Sequence, residues 1–304
     1  MTIKAEDIKR VKGMGFLHNR GTEEDFSGRI ITENGVVTAK QLQNVSEAAA
    51  KYGNGKVSFT SRLTIEIPGI KFGDIEAFQE YIARDGMVTG GTGARVRPVV
   101  SCKGTTCVYG LYDTQALGKK IHDRFYNDYY NVGLPHKFKI ANGGCPNNCV
   151  KPELNDFGIV GQRVPVIDIE KCKACKVCGP EGVCPMGASS RPDGKIIIDR
   201  EKCNNCGLCI PRCPFHAVIG HETQYQVYLG GRWGKKSRIG TSLSRLINED
   251  ELMGLIEKAI LLFKREGIKG ERFGQTIDRI GLEKTEKILL SNELLEQKEQ
   301  ILAA

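Results

Sequence analysis

The sequence contains no apolar run long enough to cross a membrane and no apolar segment near its N-terminus. No hydrophobic stretch among its 304 residues approaches the roughly 18 consecutive apolar residues that a spanning helix requires. Residues 1–7 mix polar, charged and small side chains and lack the apolar centre of a secretory signal. We therefore expect a cytoplasmic protein without a membrane span.

A nucleotide-binding fingerprint and a concentrated basic block are also missing. The glycine-rich stretch 90–93 is too short for a G-x-G-x-x-G motif and lacks the strand-to-helix setting that the motif needs. The net charge of +8 comes from lysines and arginines interleaved with cysteine motifs, which argues against a nucleic-acid surface. An anionic cofactor, an anionic substrate and an acidic electron-donor protein would each use this charge.

Twelve cysteines are the main feature that is present. An even count would suit a disulfide framework, but such frameworks belong to small secreted domains. Here all twelve fall into four tight groups with spacings typical of metal ligands, and none is left over. The sequence therefore predicts a protein with several metal centres.

Residues 166–219 have few helix signals and are dense in cysteine. Two C-x2-C-x2-C runs are each followed by a Cys-Pro pair, as in bacterial two-cluster ferredoxins, where the fourth cysteine of each run binds the other cluster. The first run has a longer loop, of five residues, before its fourth cysteine. Structural zinc also accepts four cysteines, but the doubled run favours iron–sulfur clusters and electron relay. The predicted ligand sets are Cys172, Cys175, Cys178 and Cys213 for one cluster, and Cys203, Cys206, Cys209 and Cys184 for the other.

The remaining cysteines form two pairs that together suit a third cluster. Cys102 and Cys107 are spaced C-x4-C, and Cys145 and Cys149 are spaced C-x3-C, whereas zinc ribbons usually have C-x2-C knuckles. Just upstream, the segment 137–139 (Lys-Phe-Lys) places two lysines on one face of a predicted strand. Cations beside soft metal ligands indicate an anionic substrate that is reduced at an iron centre.

Hydrophobic periodicity predicts an α+β fold of mixed sheets with helices, and little regular structure in residues 1–35. The cysteine-rich segment 166–219 interrupts the pattern, so we expect it to be an insert between the first part of a catalytic module, 1–165, and its C-terminal part, 220–304. The predicted strands are 56–60, 63–67, 95–101, 137–140, 157–160 and 225–229, and the predicted helices are 38–52, 75–84, 111–129, 248–266, 271–280 and 283–302.

Several stretches outside the insert carry a family resemblance. They are 53–62 (GNGKVSFTSR), 90–102 (GGTGARVRPVVSC), 145–149 (CPNNC), 230–240 (GGRWGKKSRIG) and 270–279 (GERFGQTIDR). Together they resemble the sulfite and nitrite reductase hemoproteins, which couple sirohaem to a 4Fe–4S cluster. A single module with a ferredoxin insert is most similar to the small dissimilatory-type members, such as the C subunit of anaerobic sulfite reductase. The resemblance implies their hemoprotein-type fold.

The resemblance also implies roles for individual residues. Cys149 would bridge the third cluster and the sirohaem iron. Sirohaem is rich in carboxylates, which guanidinium and ammonium groups pair with well. The implied carboxylate partners are Arg62, Arg232, Lys235, Lys236 and Arg238, and a solvated turn is the alternative interpretation of the loop that holds the last four. The residues that match the substrate face are Arg62, Arg97, Lys137 and Lys139, with Arg95 competing for the position of Arg97.

Two features depart from the family pattern. The first cysteine pair is C-x4-C where many relatives have C-x5-C. Longer relatives also contain two copies of the module, whereas this chain carries the cluster ligands and the cations in a single copy. We therefore expect a two-fold homodimer, or a larger complex, in which the cations of one subunit face the sirohaem held by the other.

These implications predict an oxidoreductase that reduces sulfite to sulfide with six electrons, using sirohaem and three 4Fe–4S clusters. Nitrite reduction to ammonia is one alternative, but relatives that prefer nitrite tend to carry asparagine where this chain has Lys139. A polyferredoxin subunit without chemistry is the other, and the third cysteine group with its cations argues against it. Electrons would come from a ferredoxin or a flavin subunit.

Overall fold

The computed structural model of the chain describes residues 3–303. Its N-terminal part consists of α1 (Ala5–Gly13), β1 (Phe16–His18), β2 (Asp25–Ile30), α2 (Ala39–Tyr52), β3 (Ser58–Phe59), β4 (Ile65–Lys71) and α3 (Ile75–Ala83). The four strands form an antiparallel sheet in the order β1-β2-β4-β3. The sheet, α2 and α3 share one apolar core.

The expectation of little regular structure in residues 1–35 is wrong, because α1, β1 and β2 lie there. β2 alternates half-buried and buried residues, and Phe16 and Phe26 are fully buried. β1 has only three residues and is held by its antiparallel register with β2, in which Phe16 lies opposite Gly28. Pairing and burial, which are not local properties, therefore determine where these strands form.

Helix α2 confirms the prediction for residues 38–52. The Thr38 hydroxyl accepts a hydrogen bond from the Gln41 N–H at 3.1 Å, and the Thr38 N–H donates to Gln41 Oε1 at 3.0 Å. This capping box satisfies two N–H groups that the first turn would leave unpaired. The predicted helix 75–84 is confirmed as α3, and the strands 56–60 and 63–67 are present in altered lengths as β3 and β4.

The rest of the chain supplies the second layer and the insert. Its elements are β5 (Val100–Ser101), α4 (Thr114–Ile121), β6 (Ile140–Gly143), β7 (Phe157–Gln162), β8 (Pro165–Ile167), α5 (Gly179–Val183), β9 (Ser189–Ser190), β10 (Ile197–Ile198), β11 (Val218–Gly220), β12 (Gln224–Leu229), β13 (Thr241–Ser242), α6 (Glu249–Glu266), α7 (Phe273–Ile280), α8 (Leu282–Leu290), α9 (Glu293–Glu296) and α10 (Lys298–Ala303).

A five-stranded mixed sheet in the order β13-β12-β7-β6-β5 forms the second layer. β5, β6 and β7 run parallel, while β12 and β13 are antiparallel to their neighbours. The rings of Phe138, Phe263 and Phe273 meet beneath it with centroids 5.3 to 6.0 Å apart. These mixed sheets with flanking helices confirm the α+β prediction. Across residues 3–303, none of the helices combines the length and hydropathy that a bilayer crossing demands.

Four predicted elements of this layer differ from the structure. The strand predicted for 137–140 is displaced, because β6 begins only at Ile140 and Lys137 and Lys139 precede it. The strand predicted for 95–101 shrinks to β5, with Val96 adding an isolated bridge to Phe138. The helix predicted for 111–129 begins later, because the Asp113 carboxylate caps it, and it ends in a π-helical turn, His122–Asn127. The helix predicted for 283–302 is divided into α8, α9 and α10.

The cysteine-rich segment between β7 and β12 folds as two similar halves. β8 pairs with β11 and β9 pairs with β10, both antiparallel. The Asp168 N–H donates to the Ala217 carbonyl at 2.9 Å, and the Asp199 N–H donates to the Ala188 carbonyl at 2.8 Å. In each bond, the donor lies four residues before the first cysteine of one run. The acceptor lies four residues after the Cys-Pro cysteine of the other run. The backbone next to each cysteine run is therefore hydrogen-bonded to the backbone that follows the other run.

Candidate active site

Four cysteines outside the insert meet at the carboxyl ends of β5 and β6. One follows Ser101, the last residue of β5, and another lies two residues beyond Gly143, the last residue of β6. A cavity of about 650 Å³ is lined by Cys102, Cys107, Cys145 and Cys149. The structure thus brings both predicted pairs into one site.

The backbone between the two cysteine loops is tightly packed. The Gly144 N–H donates to Cys102 Sγ at 3.1 Å, a backbone contact of the kind made to the sulfurs of iron–sulfur centres. A Cβ on Gly144 would lie 3.0 Å from Thr114 Cγ2 and 3.1 Å from Gly104 Cα. Burial raises the pKa of Cys145, and the nearby cysteine thiols raise it further. Because cysteine thiolates this close together repel one another, a positively charged centre between them would stabilise the group.

A mononuclear zinc ion and a 4Fe–4S cluster need different arrangements of the four thiols. Zinc needs four ligands around one ion. Among residues 3–303, no three cysteine, histidine or carboxylate side chains converge on a point that a single ion would occupy. A 4Fe–4S cluster is larger than one ion, so its ligands stand further apart around a cavity.

The second cysteine run of the insert lies beside the fourth cysteine of the first run. One small cavity is lined by Cys184, Cys203, Cys206 and Cys209. Burial raises the pKa of Cys209 to about 11, and the three other thiols contribute to the rise. The Ala188 N–H donates to Cys184 Sγ at 3.3 Å. The structure therefore brings together the four residues predicted for one insert cluster.

The first run lies beside the fourth cysteine of the second. α5 begins immediately after Cys178 and packs so closely on the turn before Cys213 that a Cβ on Gly179 would lie 2.4 Å from the Arg212 carbonyl oxygen. The Ala217 N–H donates to Cys213 Sγ at 3.3 Å, repeating the contact made four residues after the other fourth cysteine. The crossed arrangement expected of a two-cluster ferredoxin is thus reproduced in the backbone.

Arg62 joins the two layers of the fold. Its guanidinium donates to Asn155 Oδ1 at 2.9 Å and to the carbonyls of Pro98 and Ile140 at 2.6 and 3.2 Å. Its Nε is buried and has no partner within the described chain. Burial lowers the pKa of Arg62 to about 10. Because all its partners are neutral, its positive charge is not cancelled by a direct ion pair.

The other three predicted substrate-facing cations lie near Arg62. Arg97 donates to the Gly91 carbonyl, and its pKa is lowered to about 10 by burial and by neighbouring arginines. The pKa of Lys137 is lowered by burial and by nearby arginines. Burial lowers the pKa of Lys139 to about 8, with Arg62 adding to the effect. These shifts show that the cations share one poorly solvated region.

Arg95 is engaged elsewhere. Its guanidinium donates to the Tyr130 carbonyl at 3.2 Å and stacks over the Tyr130 ring at 4.5 Å. In the competition between Arg95 and Arg97, the structure therefore leaves Arg97 as the arginine of the cationic group.

An ion pair that the sequence reasoning missed lies inside this group. Arg272 donates to both oxygens of Asp156 at 2.9 and 2.7 Å, and both residues are buried. The Lys139 N–H donates to Asp156 Oδ2 at 3.0 Å. Arg272 lies within the family-like stretch 270–279, which is a signal that could have found it. Asp156 has no such signal, because its partners come from distant parts of the chain.

The four residues of loop 230–240 that were predicted to bind carboxylates lie in different environments. Arg232 is half-buried and close enough to help lower the pKa of Lys137. Lys235 and Lys236 are exposed on the loop. Arg238 forms an ion pair with Asp278 at 2.6 Å and also donates to carbonyls of its own loop. The structure thus brings Arg232 to the cationic group and leaves the two lysines at the surface.

The cysteines and the lysines lie at opposite ends of the same strand. Lys139 immediately precedes β6, and Cys145 follows its end. β6 has four residues, so at about 3.3 Å per residue it is about 13 Å long. The turn between β3 and β4 connects the two regions, because Leu63 lines the cysteine cavity while Arg62 belongs to the cationic group.

Comparison with known proteins identifies the class and then the family. Iron–sulfur ligand sets beside a cationic group define an oxidoreductase site, and two family models match. The nitrite and sulphite reductase 4Fe-4S domain matches residues 92–298, and the nitrite/sulfite reductase ferredoxin-like half domain matches residues 18–84. The chain belongs to the nitrite and sulphite reductase family.

Its relatives include sulfite reductases. The coenzyme F420-dependent sulfite reductase of Methanocaldococcus jannaschii is 34% identical, and the match covers 80% of this chain but only 38% of that protein. An uncharacterised protein of the same organism is 33% identical, with coverage of 85% and 88%. The C subunit of the anaerobic sulfite reductase of Salmonella typhimurium is 28% identical, with coverage of 92% and 88%.

Solved structures confirm the predicted fold. Dissimilatory sulfite reductase I superposes with a TM-score of 0.70 at 24% identity, covering 88% of this chain and 69% of that one. The NirA protein of Mycobacterium tuberculosis gives a TM-score of 0.68 at 15% identity, covering 97% and 48%. The chain therefore has the sulfite and nitrite reductase fold.

Proposed function

We propose that the chain is the catalytic component of a sirohaem-dependent sulfite reductase that converts sulfite to sulfide. The observation that carries this proposal is the cationic group of Arg62, Arg97, Lys137, Lys139 and Arg272, which contains Asp156 as its buried carboxylate. Five cations around one carboxylate leave an excess of positive charge. That excess suits an oxyanion.

Arg97 and the two lysines would bind and protonate the substrate. Charge-assisted N–H donors hold an anion strongly in a poorly solvated site. Sulfur passes from +4 to −2, so six electrons and several protons must arrive while the oxygens leave as water. A lysine with a pKa of about 8, such as Lys139, both carries a positive charge and releases a proton near neutral pH.

The residues present fit sirohaem. In the cationic group, Arg62, Arg97 and Arg272 each have a buried Nε–H donor without a partner in the described chain, which suits a carboxylate-rich ligand. Such unpaired polar atoms are costly unless a ligand meets them. When bound, sirohaem supplies an iron that binds the anion and receives electrons.

Specific residues would hold this group. Cys149, the exposed member of its cysteine set, would reach the iron. Arg62, Arg232, Lys235 and Lys236 would pair with carboxylates, and Arg238 would do so by exchanging its ion pair with Asp278. The two clusters of residues 166–219, which we propose as a ferredoxin-like insert between 1–165 and 220–304, would relay electrons to the third cluster.

We further propose that two copies of the chain share each active site. The cysteine and cationic regions lie at opposite ends of β6, and the chain has one module. In a two-fold dimer, the cationic group of one copy faces the cofactor held by Cys149 of the other. Each copy would then contribute one half to each of two sites.

Two alternatives make different predictions. Nitrite reduction to ammonia would use the same centre, but Lys139 lies within the cationic group, and we expect a lysine at this position to favour the more highly charged sulfite. A polyferredoxin subunit without chemistry would not need the cationic group at all.

An optical spectrum of anaerobically purified protein, with iron and acid-labile sulfide counts, tests the cofactor content. We expect haem-type bands together with three 4Fe–4S clusters per chain. Iron–sulfur absorption without haem-type bands would favour the relay subunit. A Cys149→Ser variant should lose haem-type bands while the insert clusters remain, because Cys149 lies outside the insert.

A further inference from the structure

The two halves of the insert are built alike but have different surroundings. Ala174 and Asn205 occupy equivalent positions in the two cysteine runs, and both have left-handed φ values, 46° and 55°. Asn205 is packed on the catalytic module: its carbonyl accepts from the Arg163 N–H at 2.8 Å, and its side-chain amide donates to Gln162 Oε1 at 2.9 Å. Ala174 is exposed.

The packed run leads directly to the third cysteine group. Gln162 is the last residue of β7, and a Cβ on the preceding Gly161 would lie 2.9 Å from the Gly144 carbonyl oxygen. The Gly144 N–H donates to Cys102 Sγ at 3.1 Å. An unbroken line of contacts therefore joins the Cys203–Cys209 run to the cysteine cavity. This cluster is the inner one.

The first run forms an exposed basic surface instead. Lys173, Lys176 and Val177 are all exposed, and Val177 is 87% exposed. Their equivalents in the packed run are Asn204, Gly207 and Leu208, which are half-buried or buried. The first run is instead contacted from within residues 166–219, where the Arg191 guanidinium donates to the Cys175 carbonyl.

The charge of this surface is largely unpaired. Lys171 forms an ion pair with Asp168 at 2.9 Å, and Arg191 forms one with Glu181 at 2.7 Å. The ion pairs near this surface involve other cations. Within residues 3–303, no carboxylate lies within ion-pair distance of Lys173, Lys176 or Lys195. Lys195 also lies close to the first run, since its charge helps to lower the pKa of Cys172.

We propose that the lysine face, defined as Lys173, Lys176, Val177 and Lys195, is the docking surface for an electron-donor protein with an acidic contact face. Electrons then enter at the Cys172, Cys175, Cys178 and Cys213 cluster and pass through the inner cluster to the third. In each transfer, the donor's redox centre is oxidised by one electron and the outer cluster is reduced by one, and no bond is broken. This inference rests on the proposed electron relay.

Stopped-flow reduction of the full-length holoprotein by a photoreduced acidic ferredoxin tests the surface, without sulfite present. The K173E/K176E variant should lower the second-order rate of cluster reduction about tenfold at low ionic strength, because opposite charges steer association. The difference should shrink at high salt. The matched control is K284E/K287E, the same charge change at exposed lysines on α8. It should leave the rate near that of the parent.

Further measurements distinguish a weakened docking surface from damaged clusters. Reduced methyl viologen, a small cationic dye, should reduce K173E/K176E at least as fast as the parent, which shows that its clusters are intact. The single variant Lys195→Glu, outside the cysteine runs, should lower the ferredoxin rate on its own. Equal ferredoxin rates for K173E/K176E and the parent, or an equal loss in the α8 control, would overturn the proposal. Failure to form sulfide from sulfite with viologen would refute the proposed function and leave the docking result standing.

Discussion

Lys139 is the residue at which substrate binding and proton supply meet. It lies before β6, its N–H donates to Asp156, and burial together with Arg62 lowers its pKa to about 8. Its side chain is therefore charged below that pH and increasingly neutral above it. The same shift affects stability: between about 8 and the ordinary lysine value, the unfolded chain binds more protons, so folding stability rises with pH.

The pH dependence of kcat/KM for sulfite tests this role. We expect kcat/KM to fall as pH rises through about 8, because Lys139 loses its charge there. Since sulfite itself titrates, the informative comparison is with Lys139→Arg, whose side chain stays charged. The variant should shift the alkaline fall to higher pH. An unchanged alkaline limb would show that Lys139 is not the group that titrates.

Asp156 is predicted to be essential for stability. Asp156→Asn leaves Arg272 buried without a counter-charge and should cost about 3 to 5 kcal/mol of unfolding free energy. The double variant Asp156→Leu/Arg272→Met should be less destabilised, because neither buried charge remains. Denaturant titration of the parent and both variants provides the measurement. A loss below about 1 kcal/mol in Asp156→Asn would contradict the assignment.

Predictability from sequence differs between these two residues. Lys139 stands in a short motif next to cysteines, so its chemistry is visible in the chain. Asp156 lies far in sequence from Arg272, and only the folded sheet brings them together. Local motifs therefore predict the cations, but the carboxylate that orders them depends on tertiary contacts.

At the scale of elements, hydrophobic periodicity over long helices and metal-ligand spacing were the reliable signals. The helix predicted for 38–52 is α2, and the cysteine spacing predicted two cluster sites, of which the structure gathers Cys184 and the Cys203–Cys209 run around one cavity. β1 and β2 were missed, because strands of three to six residues are decided by pairing. α1, a helix of nine residues in which only Val11 is buried, was missed as well. The strand predicted for 95–101 was overestimated for a related reason: its valines are buried, but only Val100 and Ser101 join the ladder.

The insert should be removable as a unit. β8 and β11 pair so that Pro165 lies opposite Gly220, and a short glycine-serine linker can join these neighbouring residues. We expect the shortened chain to fold, to retain the Cys102–Cys149 cluster and to lose the iron of the other two. Iron counting and circular dichroism check this. Loss of all iron, or failure to fold, would show that residues 166–219 are an integral part of the module.

For the whole molecule, the notable property is the separation of the two halves of the site. The cysteines follow the carboxyl ends of β5 and β6, and the cations lie before the amino end of β6. The sequence placed both in one motif, 137–149, and could not show that strand β6 divides them. This geometry is the physical basis of the shared-site proposal.

Mixed dimers test whether the sites are shared. Lys137→Ala and Cys149→Ser subunits should each be inactive alone. Combined in one heterodimer, they should recover about half of the parental activity, because one of the two shared sites then has an intact lysine and an intact cysteine. Separately tagged subunits allow the heterodimer to be purified. An inactive heterodimer would show that both residues act within one chain.

The central claim is that the cationic group binds sulfite for its reduction to sulfide. Steady-state turnover of anaerobic holoprotein with reduced methyl viologen, measured with sulfite and nitrite side by side, tests it most directly. We predict sulfide as the product and a larger kcat/KM for sulfite, with Lys137→Ala and Lys139→Ala each lowering it at least about 100-fold, as expected for loss of a general acid. A much larger kcat/KM for nitrite, or the absence of sulfide, would contradict the account.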